Sequence, residues 1–195
     1  MFHLFIQHII NTIGSVDNLI EKYYDILKKY EEFEEKIFAY EMNDDNFYML
    51  DNFINFEKGK KPKQLTETGK QYLTIDVLEG NESLFTDNNN VITANKNNIL
   101  MVMDGASSGK VYIGFEGVVG STLSLIHCEN IDSYFLYIFL KNNYNNIKDR
   151  NIGSAIPHAN KDFILSLKIP YTKISNEIYI YLLKYKIDIS KKSNI

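Results

Sequence analysis

Tryptophan is absent from this chain of 195 residues, cysteine occurs once, proline three times, and arginine only at Arg150. The single Cys128 excludes an intramolecular disulfide framework and a cysteine-built zinc site, and it fits a reducing, cytoplasmic location. No apolar run approaches the ~18 residues needed to cross a bilayer, so no membrane partner is expected. The apolar opening MFHLFIQHII lacks a basic leader and a small-residue cleavage site, and it reads as the start of an amphipathic helix. What the chain does contain is aromatic: 14 Tyr and 12 Phe supply a real core and argue against disorder.

Recognisable catalytic chemistry is missing as well. Gly105-Ala106-Ser107-Ser108-Gly109-Lys110 suggests a phosphate-binding loop, but three residues separate the glycines where four are required, and Val111 stands where a magnesium-binding hydroxyl belongs. A tight turn between two strands accounts for it better. His3, His8, His127 and His158 are scattered without metal-ligand spacing, so no metal site is expected. His127 and Cys128 adjoin on a predicted strand and point to opposite faces, which disfavours a thiolate-imidazole pair. The only prolines are Pro62, Pro157 and Pro170, so the Asn-Pro-Pro-Tyr type of motif that holds an amino group for methylation is not there. No nuclease carboxylate cluster stands out either.

The formal net charge of −4 argues at first against a nucleic-acid partner. Divided along the chain, it says something else. Residues 1–45 carry 10 acidic and 4 basic side chains, whereas residues 46–195 carry 15 acidic and 17 basic. The acidity belongs to the N-terminal segment, and the remainder is mildly basic. Within that remainder Lys58-Gly59-Lys60-Lys61-Pro62-Lys63 places four cations on a stretch that Gly and Pro mark as a loop. Such a run is either an ordinary solvated surface or an anion-binding one.

In the acidic segment Val16, Leu19, Tyr23, Ile26, Tyr30, Phe33 and Ile37 recur at alternating spacings of three and four, a heptad seam that calls for a partner helix. Gly14-Ser15 interrupts the pattern, and Ser15 or Asp17 offers a helix cap. The expectation is a short helix over 2–13 and a long one over 17–41, about 35 Å in length. From residue 47 the period changes. Segments 72–77, 99–103, 110–115 and 122–127 are short, apolar or alternating, and bounded by Gly, Asn and Asp, as strands are. A helix is predicted over 133–148, capped at Asp132/Ser133, and another over 175–188. The fold class is α+β, one mixed α/β domain preceded by a long coiled-coil helix and followed by a short C-terminal helix; the sheet order is not derivable.

The stretch Gly153-Ser154-Ala155-Ile156-Pro157-His158-Ala159-Asn160-Lys161-Asp162-Phe163-Ile164-Leu165-Ser166-Leu167-Lys168-Ile169-Pro170 resembles the closing motif of a target recognition domain in type I restriction-modification specificity subunits. Gly59-Lys60-Lys61-Pro62 is similar to the entry loop of those domains, and Tyr72-Leu73 with Ile75-Asp76 to the strand that follows it. Residues 99–111, with Gly120-Ser121-Thr122, resemble their paired strands around a glycine-rich turn. The flanks resemble the conserved helical regions of the family, Ile6 to Leu19 in one copy and Glu177 to Ile189 as the start of a second. The resemblance implies three parts: conserved-region helices over 1–45, a target recognition domain over 46–172, and a second, truncated helical region over 173–195. A complete specificity subunit has two recognition domains, so this chain corresponds to half of one.

The same resemblance implies a non-catalytic subunit that reads one half-site of a bipartite double-stranded DNA target. It would hold no cofactor itself; S-adenosylmethionine and ATP would be bound by its partners, modification methyltransferase subunits and a restriction/translocase subunit. Lys60, Lys61, Lys63 and Lys110 are the expected phosphate contacts, and Lys161 is a further expected DNA-binding residue. Gln64, Thr66, Ser107, Ser108, Ser154, His158 and Asn160 are candidates to reach base edges, although Ser154 and His158 are equally candidates for building the loop. Ile156 and Phe163 are expected in the core. The seam Val16, Leu19, Tyr23, Ile26, Tyr30, Phe33 and Ile37 would pair two copies antiparallel as a homodimer, or pair this chain with another half-subunit. A 35 Å arm would then set half-sites about one DNA turn apart. A coiled-coil interaction module that binds protein and no DNA accounts equally well for the heptads and the net charge.

Overall fold

The computed structural model describes residues 2–41, 47–88, 91–153 and 155–170. The predicted helix over 175–188, and with it the region 173–195, lies outside them. The described residues divide into two units, residues 2–41 in one and 47–170 in the other.

The N-terminal unit is one continuous helix, α1 (Phe2–Glu41), and not the expected pair. Gly14 costs such a helix about 1 kcal/mol relative to alanine, too little to break it. Ser15 does not cap; its hydroxyl donates to the Asn11 carbonyl one turn back, 2.9 Å away. At 40 residues the helix is roughly 60 Å long, so the one-turn half-site spacing drawn from a 35 Å arm no longer follows. Continuity also lengthens the seam. Ile6, Ile9, Ile13, Val16 and Ile20 carry the three-four spacing back through the first half of the helix, and all five are exposed.

In the globular unit the strands are β1 (Phe47–Met49), β2 (Ile54–Lys58), β3 (Lys70–Leu73), β4 (Phe85–Thr86), β5 (Thr93–Ala94), β6 (Ile99–Val102), β7 (Val111–Tyr112), β8 (Gly117–Val119), β9 (Leu123–Cys128) and β10 (Lys168–Pro170). One antiparallel sheet has the order β2-β9-β6-β7 and a second, mixed sheet the order β4-β3-β8-β5, while β1 pairs with β10. Only the three residues Gly120–Thr122 separate β8 of one sheet from β9 of the other. A core of Leu73, Val77, Leu78, Ala94, Leu100, Val102, Val119, Leu123 and Leu125 draws on both sheets. Every residue of β6 is buried, as its unbroken apolar run requires of a strand covered on both faces.

Local side chains redraw three predicted elements. The strand expected over 72–77 ends at Leu73, because the Thr74 side chain accepts from the Val77 N–H and starts the one-turn helix α2 (Ile75–Leu78). The strand expected over 110–115 stops at Tyr112, and Gly114 turns the chain at φ +93°. The helix expected over 133–148 begins where predicted, with the Asp132 carboxylate accepting from the Tyr134 and Phe135 N–H groups. It divides at Asn143, whose side-chain amide donates to the Phe139 carbonyl at 2.8 Å, into α3 (Ser133–Asn142) and α4 (Tyr144–Asp149). A last helix, α5 (Lys161–Leu165), precedes β10.

One defect sits in β9. Ser124 is fully buried and its hydroxyl has no hydrogen-bond partner among the described residues. Ser124→Ala removes that cost and is expected to stabilise the fold by about 1 kcal/mol, a rise of a few degrees in Tm. A loss of stability in a thermal melt would show that the hydroxyl is satisfied after all.

Candidate nucleic-acid interface

Three segments far apart in sequence meet at one end of the antiparallel sheet. The first leaves β2 at Lys58. Gly59 lies against the backbone of the β8–β9 connection, its N–H donating to the Leu123 carbonyl at 3.0 Å. A Cβ there would run into the carbonyl oxygens of Gly120 and Val119. Pro62 is buried, whereas Lys60, Lys61, Lys63 and Gln64 are exposed. The far end of this loop is tied to β4, with Thr86 Oγ1 donating to the Gln64 carbonyl at 2.9 Å and the Thr66 N–H to the Phe85 carbonyl at 2.9 Å. Its cations are therefore held out from a loop anchored at both ends.

The second segment is the Gly105–Gly109 turn, a true turn between β6 and β7, in which the Gly109 N–H donates to the Val102 carbonyl at 2.8 Å. The third, residues 151–160, runs alongside it. Gly105 N–H donates to the Pro157 carbonyl at 2.9 Å and Ala159 N–H to the Met103 carbonyl at 2.8 Å. Ile152 and His158 exchange backbone hydrogen bonds of 2.9 and 2.8 Å, closing a small loop. Asp104 and His158 thus face each other across an isolated antiparallel bridge.

The side chains there form a network. Asp104 accepts from Lys58 Nζ at 2.9 Å through one carboxylate oxygen and bonds His158 Nδ1 at 2.7 Å through the other. Burial alone would raise the Asp104 carboxyl, but the hydrogen bonds from Lys58 and His158 outweigh it and hold the group below the ordinary aspartate range. Nearby, the Lys161 ammonium lies 5.5 Å from the Phe56 ring centroid, and Arg150 sits over Phe163 at 5.6 Å.

The expected site residues divide accordingly. Lys60, Lys61, Lys63 and Gln64, in the loop that follows β2, and His158 and Lys161, in and just after the third segment, are solvent-exposed. Ser107 is half-buried in the turn. Ser108 is not a base contact. It is fully buried, with its hydroxyl donating to the Gly105 and Pro157 carbonyls, so it joins the second and third segments. Asn160 caps α5, its side-chain oxygen accepting from the Phe163 N–H. Lys110 belongs elsewhere, bonded to Glu79 at 2.7 Å, and that contact followed by Tyr112 holds its ammonium above the ordinary lysine range. Ile156, expected in the core, is 58% exposed. Phe163 is half-buried under Arg150. Ser154 lies outside the described residues.

Along α1, Val16, Leu19, Ile26 and Phe33 are exposed and Tyr23 is half-buried; the side chains of Tyr30 and Ile37 lie outside the described set. The sequence reading assigned no role to Asp104 or Arg150, and Lys58 was only one charge in a run. A carboxylate placed directly after the apolar run 99–103 was the signal available for Asp104. The residues facing it come from positions 58 and 158, which no local pattern connects.

Other chemistry is sparse. No cluster of three or more His, Cys, Asp or Glu able to hold a metal occurs among the described residues, and no described helix is long and apolar enough to cross a membrane. His127 is exposed, 2.8 Å from Glu57, while its neighbour Cys128 is half-buried with its thiol pushed up to about 11, chiefly by burial. That thiol stays protonated at neutral pH and is a poor nucleophile.

The globular unit is an α+β domain with an exposed lysine loop after β2 and an Asp104–His158 pair at the same end of the antiparallel sheet, joined in sequence to a helix with an exposed apolar seam. Residues 42–195 match the type I restriction modification DNA specificity domain, so the chain belongs to that family, whose part is recognition of sequence without catalysis. It is 29% identical over 136 residues to the type I restriction enzyme MjaVIII specificity subunit of Methanocaldococcus jannaschii, across 66% of this chain and 32% of that protein. Its fold resembles the S subunit of a type I restriction-modification system from M. genitalium (TM-score 0.58, 21% identity, 76% of this chain and 40% of the other). It also resembles the HsdS subunit from Thermoanaerobacter tengcongensis (TM-score 0.60, 13% identity, 91% of this chain and 48% of the other). The chain thus spans about a third of the curated relative and under half of these two structures.

Proposed function

We propose that this chain reads one half-site of a bipartite double-stranded DNA target and has no catalytic activity of its own. The observation that carries this is the exposed loop of Lys60, Lys61, Lys63 and Gln64, which follows directly on Lys58, the residue that Asp104 links to exposed His158. Phosphate contacts from the lysines supply affinity, and the polar side chains between them supply discrimination. Chemistry falls to partners: modification methyltransferase subunits that bind S-adenosylmethionine, and a restriction/translocase subunit that uses ATP. The exposed seam of α1 supports pairing with a second copy, and a two-fold pair would read an inverted repeat.

Filter binding to random duplex DNA over a range of salt tests the first part. Four phosphate contacts, from Lys60, Lys61, Lys63 and Lys161, predict a log-log slope of roughly −3 to −4 per copy. A slope near zero would favour the protein-only interaction module. For the pairing, sedimentation at tens of micromolar should show a dimer, and Ile13→Asp with Ile20→Asp should make it monomeric, since each places a charge in the seam. A wild-type monomer at that concentration sinks the homodimer.

A further inference from the structure

We propose that Asp104 is a positioning residue of the interface: it fixes His158 as the Nδ1–H tautomer, so that Nε2 is presented as a hydrogen-bond acceptor to a base amino group, adenine N6 or cytosine N4. This rests on the DNA-reading function above. A bare carboxylate beside a row of lysines would repel phosphate, yet both oxygens of Asp104 are occupied, one by Lys58 Nζ at 2.9 Å and the other by His158 Nδ1 at 2.7 Å. Only 22% of its side chain is exposed, against 49% for that of His158. The carboxylate thus sits beneath the imidazole and presents it outward.

The cross-strand bridge between Asp104 and His158 fixes their separation through the main chain, and Ser108 locks the two segments from below. An ionised carboxylate can only accept, so the proton of the neutral imidazole must be on Nδ1 and the lone pair on Nε2. In the major groove the only base-edge donors are the amino groups of adenine and cytosine, which makes such an acceptor discriminating. Lys58 has its charge committed to Asp104 and belongs to the network, unlike the exposed lysines that follow it in the loop.

The test is selection from a pool of random duplexes by the full chain at mildly alkaline pH, for wild type, Asp104→Asn and His158→Ala. Nitrogen chemical shifts of the His158 ring are measured in parallel on the DNA-free proteins. We expect an Nδ1–H ring in wild type and its loss in Asp104→Asn. Both variants should relax the preference at the same single base pair by roughly tenfold. Affinity of Asp104→Asn for the unselected pool should stay the same or rise, because a negative charge has been removed. A merely structural role predicts weaker binding to all duplexes with an unchanged selected motif, and that result overturns the inference. So does an Nε2–H ring in wild type. If wild type selects no duplex at all, the DNA-reading function falls and takes this inference with it; an unchanged motif with normal binding overturns the inference alone.

Discussion

Replacing Lys60, Lys61 and Lys63 together by alanine is expected to lower affinity for random duplex DNA by roughly 10²- to 10³-fold near 0.1 M salt and to flatten the salt slope by nearly three. Each neutralised phosphate releases about 0.9 of a counterion, so three lysines account for that change in slope. All three side chains are exposed and the loop that carries them is fixed by its backbone, so the melting temperature should hardly move. Salt-dependent filter binding beside a thermal melt checks both halves. Unchanged slope with wild-type stability would show that this loop meets no phosphate, and the interface would have to be sought elsewhere.

Gly59→Ala should produce the largest effect of any single methyl group in the interface. The added carbon would lie on the backbone oxygens of Gly120 and Val119, and backbone cannot swing aside as the tip of a side chain can. To make room, the end of β2 must pull away from the β8–β9 connection, breaking the hydrogen bond from Gly59 to Leu123. A loss of about 3 kcal/mol, read as a lower urea midpoint, is expected, together with weaker DNA binding at every sequence because the lysine loop has lost its anchor. Gly14→Ala is the opposite control: nothing lies within 4 Å of the added carbon, and the substitution should favour α1 by about 1 kcal/mol. Equal stability of Gly59→Ala and wild type would mean that the loop is not held as described.

How much was legible in advance depends on how local the physics was. The buried strand β6 was written in Ile99-Leu100-Met101-Val102-Met103, and the start of α3 in Asp132, because an apolar run and a cap act within a few residues. The Gly105–Gly109 turn was separable from a phosphate loop by counting residues. Errors arose where a side chain competed with the backbone: Thr74 converted the end of a strand into a turn of helix, Asn143 divided a helix, and Gly14, read as a stop, was too weak a helix breaker to act as one. The exposure of the α1 seam matches its heptads, yet its length follows only from the continuity across Gly14.

By itself, the sequence determined the class of fold, the family, the acidic helix with its heptad seam, and the lysine loop, because composition, periodicity and motif order survive without coordinates. Tertiary structure alone decided which polar residues can meet a ligand. It buried Ser108 as a strut, spent Asn160 on a helix cap, paired Lys110 with Glu79, and turned Ile156 outward. It also assembled Lys58, Asp104 and His158 from three separate segments. The physical reason is that hydrogen bonds and burial depend on distance in space, and the pairing of β2 with β9 and of Asp104 with His158 brings together residues that lie as many as 74 and 54 positions apart in the chain.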